Sequence, residues 1–235
     1  MGGWQDMAAE ELEQQYSPSR WSPRLGPDEV IQAHLTATAA GTQRARAGVQ
    51  TLLHVPYGDG DGEKLDIYLP TDPSGTFPVL VYIHGGYWQC LSSAQDTWTP
   101  WCCRCGAALP SWWSTTIGSG AVLVSGVYDL EPILHTYVND ALHMSREVAQ
   151  RNSPQLHIAL AAPAAAACKV LVAVAQHDSP EFRRQSQEYV LALRAAGWSV
   201  SMLDLAGVDH FDIVEKLSEE SYILTQVILN MILRT

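Results

Sequence analysis

Residues 169–205 constrain the fold of this 235-residue chain more than any other stretch. Lys169–Ala175 reads VLVAVA after its lysine, the uniformly apolar pattern of a strand covered on both faces of a parallel sheet. Ser179-Pro180-Glu181 then supplies a helix start, with a capping side chain, a proline at the first helical position and an acid in the first turn. Phe182, Tyr189, Val190 and Leu193 recur at i, i+7, i+8 and i+11, one face of a helix that Gly197 ends. Val200–Leu205 is the second strand. Two parallel strands joined by one helix make a right-handed crossover, which commits the chain to an α/β fold with a mostly parallel sheet and flanking helices.

The rest of the chain supplies compatible pieces. Ala121–Ser125 reads as another apolar strand. Upstream, Leu52–Val55 and Leu65–Leu69 flank the turn residues 57–62, and Val79–Ile83 is continuously apolar, as a strand buried on both faces would be. Two helices precede these strands. Ala8–Tyr16 ends at Ser17-Pro18, and Pro27–Arg46 places Val30, Ile31 and Leu35 on one face with Arg44 and Arg46 near its C-terminus. Phe211–Arg234 reads as one long amphipathic helix.

Composition narrows the class of function. Fourteen basic against 25 acidic residues give a net charge of −11 with no basic stripe, so nucleic acid and anionic membranes are excluded as expected partners. A hydrophobic content of 47% supports a sizeable core. The longest apolar run, Ala159–Ala175, is interrupted by Pro163 and Lys169 and is too short to span a bilayer. MGGWQDMAAEELEQQ lacks the basic and apolar regions of a secretory leader. The expectation is a soluble intracellular protein with a single domain over residues 1–235.

Residues 90–119 do not follow the pattern around them. They hold four of the five cysteines and four of the eight tryptophans, and they show neither a helical nor a strand period. Cys102-Cys103-Arg104-Cys105 lacks the second downstream pair that structural zinc requires, so no metal is expected there. The D-G-D-G-E run at 59–63 has neither the spacing nor the distal Glu of a calcium loop and reads as a turn.

Two constellations carry chemistry. His84-Gly85-Gly86-Tyr87-Trp88 follows the apolar run 79–83, and glycines at such a strand end free backbone amides to face a developing oxyanion. The alternative reading of that motif is a tight turn with an aromatic plug. Asp178 lies just beyond strand 169–175 and His210 just beyond strand 200–205. If those strands are neighbours, about 4.8 Å apart, both loops leave the same sheet edge. A carboxylate there can hold an imidazole in the tautomer a general base needs. His177 and Asp209 read as bystanders.

AEELEQQYSPSRW, LLHVPYGDGDGEKLDIYLP, HGGYWQ, VSGVYDLEPI, RNSPQL, HDSPEFRRQS and VDHFDIVE resemble the kynurenine formamidase (arylformamidase) family of α/β-hydrolases. The resemblance covers residues 4–89 and 121–235 and leaves 90–120 as an atypical insert. It implies hydrolysis of N-formyl-L-kynurenine to L-kynurenine and formate in tryptophan catabolism, without metal or organic cofactor. It also implies a cytosolic location, with the nucleus as a second one, and allows a homodimer. It assigns the amides of Gly86 and Tyr87 to an oxyanion hole, Asp178 to orientation of the base and His210 to the base itself.

The nucleophile is where the chain departs from the family. The family's serine sits in a G-x-S-x-G elbow, and no such sequence occurs here. Gly118-Ser119-Gly120 lacks the strand before and the helix after that an elbow needs. Ser125 lies inside a segment that resembles the strand following the nucleophile helix. From His84 to Ser125 there are 41 residues. Two further strands with their helices and elbow belong there, so the interval is short by roughly 60–80 residues, at about 30 per strand-helix-strand unit. The expected fold is therefore α/β-hydrolase-like but without two central strands and the elbow, as a spliced or mis-assembled reading frame would give. The expected activity of this chain is lost. Two alternatives stand beside that reading: a non-catalytic remnant that binds ligand or a subunit, and a serine esterase using Ser119.

Overall fold

The computed structural model describes residues 3–72, 74–75, 77–89, 120–160 and 168–233. In chain order the principal elements are α1 (Ala9–Gln15), α2 (Pro27–Gly48), β1 (Thr51–Pro56), β2 (Lys64–Tyr68), β3 (Gly120–Val124), α3 (Val138–Leu142), α4 (Arg146–Asn152), β4 (Lys169–Ala175), α5 (Pro180–Ala195), β5 (Ser199–Leu205), α6 (Asp212–Glu215) and α7 (Ile223–Leu233). They fall into two compact units, residues 1–31 with 119–214 and residues 32–118 with 215–235.

The first unit is built on a parallel sheet of order β3-β4-β5. Lys169 to Ala175 pair in register with Ser199 to Leu205, and Gly120 to Val124 pair with Lys169 to Ala173. The central strand is buried from Val170 onward, as its uniform apolar pattern requires. Ser179 caps α5 by accepting the Phe182 amide at 3.3 Å, and Pro180 opens the helix. The helix buries Phe182, Tyr189, Val190 and Leu193. Tyr189, Val190 and Leu193 join Val170 and Val172 in the core under Tyr128, whose ring stacks on Tyr189 at 4.2 Å. Gly197, at φ +89°, turns the chain back toward β5.

The second unit holds an antiparallel pair, β1 with β2, kinked by a bulge between Leu52 and Val55 where His54 takes φ +55°. Arg46 at the end of α2 reaches Asp66 of β2 at 2.7 Å, and the other carboxylate oxygen of Asp66 accepts the His54 amide at 2.8 Å.

Two expected elements take another form. Val79–Ile83 was expected as a strand buried on both faces, yet no strand forms there. Val81 is 62% and Ile83 85% exposed. An interior strand needs a strand on each flank, and among the described residues none pairs with 79–83. Phe211–Arg234 is not one helix either. It divides into α6, a 3-10 turn at Lys216–Ser218 and α7, with Glu219 extended between them. A continuous helix would give the Leu217 carbonyl to the Ser221 amide. Here the buried Thr225 hydroxyl donates to that carbonyl at 3.2 Å, and Ser218 Oγ donates to the Glu215 carbonyl. Residues 90–119, with Ser119 and the four tryptophans, lie outside the described residues.

Candidate active site

Three neighbouring strand ends converge at the C-terminal edge of the parallel sheet, where open α/β sheets place their sites. Beyond β4 the turn 176–178 is tied to the turn beyond β5. The Gln176 amide donates to Leu205, the His177 amide to Val208, and Gln176 Oε1 accepts the Gly207 amide at 2.7 Å. Gly207 stands at φ +71°, a left-handed position suited to glycine. This stitching brings Asp178 and His210 together: His210 Nδ1 lies 2.6 Å from Asp178 Oδ1.

The Asp178 side chain is fully covered. Its second oxygen, Oδ2, accepts the Ala175 amide at 2.8 Å and the Ser125 hydroxyl at 2.6 Å. Burial pushes this carboxyl upward. The His210 imidazole, the hydrogen bond to it, the Ser125 hydroxyl and the Ala175 amide outweigh burial and hold it below its ordinary value. Asp178 is thus a buried carboxylate that stays charged. The His210 ring keeps a quarter of its side chain exposed and packs edge-on to Phe182 and Phe211, at 5.0 and 5.6 Å between centroids. With Nδ1–H donated to the carboxylate, the neutral ring presents its lone pair at Nε2.

The residue before His210, read from the sequence as a bystander, is an anchor. Asp209 is buried and accepts the Arg24 guanidinium (Nε at 2.8 Å), the Ser22 hydroxyl (2.6 Å) and the amides of Phe211 and Asp212. Burial opposes its charge, but Arg24 and these donors draw its pKa down to about 2. It therefore caps α6 and clamps the turn that carries His210. The preference of Asp for N-cap positions was a usable signal for the cap. Nothing local pointed to Arg24. Gln185 of α5 was also missed: its Oε1 accepts the amides of Tyr128 and Asp129, and its Nε2 donates to Tyr16 Oη at 2.8 Å, fixing the loop after Ser125.

His84–Trp88 lie in the second unit. Gly86 (φ +101°), Tyr87 (φ +51°) and Trp88 (φ +58°) form a left-handed turn closed by the Gln89 amide on the Gly86 carbonyl at 3.0 Å. His84 Nδ1 meets the Gly85 carbonyl at 2.9 Å, and Trp88 is exposed rather than plugged into a core. The turn therefore forms although the strand before it does not.

Among the described residues, no cluster of three or more His, Cys, Asp or Glu is arranged to hold a metal ion, and no helix is long and apolar enough to cross a membrane.

A kynurenine formamidase of Danio rerio is 41% identical over 290 aligned positions, which take in 99% of this chain and 99% of that protein. A kynurenine formamidase of Salmo salar is 40% identical over 290 positions, covering 98% and 99%. Because 235 residues are spread over 290 positions, at least 55 positions within the aligned span have no counterpart in this chain. No protein-family model matches the chain. The crystal structure of a candidate thioesterase from Silicibacter sp. TM1040 superposes with a TM-score of 0.71 at 20% identity, over 93% of this chain and 99% of that one. That likeness and the parallel sheet with its flanking helices are those of an α/β-hydrolase-like fold.

Proposed function

This chain belongs to the kynurenine formamidase family of hydrolases, and from that premise we propose that it carries the acid–base half of the family's site without the nucleophilic half. The observation that supports this reading best is the 2.6 Å contact of His210 with the buried, charged Asp178.

In this reading Asp178 holds the Nδ1–H tautomer of His210. Nε2 then serves as the base that takes the nucleophile's proton and returns it to the leaving amine. The substrate is N-formyl-L-kynurenine, and the products are L-kynurenine and formate. The family resemblance assigns the oxyanion donors to the amides of Gly86 and Tyr87. Among the described residues no hydroxyl bonds His210, and Ser125 donates to the carboxylate instead. The sequence holds no G-x-S-x-G elbow. The aligned positions without a counterpart in this chain support a reading in which the elbow is lost.

Removing the nucleophile of a serine hydrolase costs about 10⁶ in turnover. One oxyanion donor is normally the amide after the nucleophile, so the residual rate falls further. The chain is then a non-catalytic member of a catalytic family, such as a splice product would be, acting in the cytosol or nucleus by binding ligand or subunit. The test is hydrolysis of N-formyl-L-kynurenine by the purified chain, followed beside an intact family member. Absence of turnover is the expected result. A rate within a hundredfold of the intact enzyme overturns the proposal.

A further inference from the structure

Ser125 is a buried hydroxyl that the proposed chemistry does not use. It follows β3 directly and takes φ +44°, a left-handed conformation that costs a non-glycine residue about 1–2 kcal/mol. Its amide still closes the ladder, donating to the Ala173 carbonyl at 2.9 Å. The left-handed turn thus leaves the sheet pairing intact while the hydroxyl reaches across to the residue beyond the neighbouring strand. A serine acting as nucleophile would bond the imidazole. This one bonds Asp178 Oδ2 at 2.6 Å, on the carboxylate oxygen opposite the one that meets His210.

We propose that Ser125 is a positioning residue for the Asp178–His210 pair: its hydroxyl, together with the Ala175 amide, fixes the carboxylate so that Oδ1 is committed to His210 Nδ1. The inference rests on the reading of that pair as the acid–base pair. A carboxylate turns about its last side-chain torsion in a broad, two-fold well. One backbone donor on Oδ2 leaves that torsion soft. A second donor, arriving from a different strand, removes the freedom and offsets part of the cost of burying the charge. The positions of all three groups follow from the strand order, with Asp178 beyond the central strand and one partner beyond each neighbour. Among the described residues, Arg183 of α5 and Tyr128 of the loop after β3 also interact electrostatically with Asp178. Arg183 is committed to the Ala175 carbonyl and to Asp204, so it does not substitute for a lost hydroxyl.

The test compares the full chain with Ser125→Ala and Ser125→Gly, read by two nuclear magnetic resonance signals. One is the titration of the Asp178 carboxyl carbon, assigned by its loss in Asp178→Asn. The other is the low-field proton of His210 Nδ1. In both Ser125 variants the Asp178 titration is expected to move upward and the low-field proton to be lost to exchange. Glycine suits φ +44° better than serine does, so Ser125→Gly keeps the turn even if Ser125→Ala unfolds. Retention of both signals in Ser125→Gly overturns the proposal, because the serine then serves the backbone alone. Failure of the underlying pair is seen separately, as a wild-type chain whose His210 proton is unaffected by Asp178→Asn.

Discussion

Asp178 and Asp209 are buried carboxylates at one end of one sheet, and their partners give them different work. Asp178 faces an imidazole that stays partly open to solvent, which suits proton transfer. Asp209 faces a guanidinium, a hydroxyl and two amides, which suits a clamp. Replacing Asp209 by Ala removes a helix cap and takes from Arg24 one of its carboxylate partners, Asp212 being another at 3.2 Å, and is expected to destabilise the chain by about 2–4 kcal/mol in urea unfolding. Both carboxyls titrate lower when folded than unfolded, so the unfolded chain binds more protons as pH falls. Their contribution is fully present above about pH 5 and is lost as pH drops through the folded values, about 2 for Asp209. For Asp209 alone that is about 2 kcal/mol. Asp209→Asn is therefore expected to flatten the stability profile between about pH 5 and 2. An unchanged slope would mean that the contacts of the Asp209 carboxylate contribute nothing.

Among the elements, α5 ties the sheet to its edge. It begins two residues after Asp178, and its Gln185 holds the loop that follows Ser125. Gln185→Ala leaves two backbone amides without their acceptor and should cost about 2–4 kcal/mol, with loss of the protected Tyr128 amide in hydrogen exchange. Full protection would show that another acceptor takes over. The unit β4-α5-β5 was legible residue by residue, because a uniform apolar strand, a capped helix start and a glycine stop are local signals. The meeting of Asp178 with His210 followed from the same unit. The clamp did not, since Arg24 and Asp209 are 185 residues apart and an ion pair leaves no periodic trace. The break before α7 was hidden for a related reason. The apolar period runs through it, and a single buried hydroxyl, Thr225, takes the carbonyl that continuity needed.

At the scale of the whole molecule, the chain is shorter than the relatives it matches. The Danio rerio relative aligns over 99% of both chains, yet at least 55 aligned positions have no residue here, and the run 79–83 that reads as an interior strand stands exposed. Periodicity reports only the local preference of those five residues, and no strand forms there. Burial depends on flanking strands that the segment cannot supply by itself. Ile83→Ser is accordingly expected to change stability by no more than about 0.5 kcal/mol and to raise solubility, where an interior strand would lose about 2–5 kcal/mol. A loss of that larger size would place Ile83 in a core. The central claim is that this chain keeps the base and its carboxylate but has no activated nucleophile. The most direct measurement is intact mass after incubation with a fluorophosphonate, beside an intact family member, with peptide mapping of any adduct. The expected result is stoichiometric labelling of the intact enzyme and none of this chain. A stoichiometric adduct on Ser119 or Ser125 would contradict it.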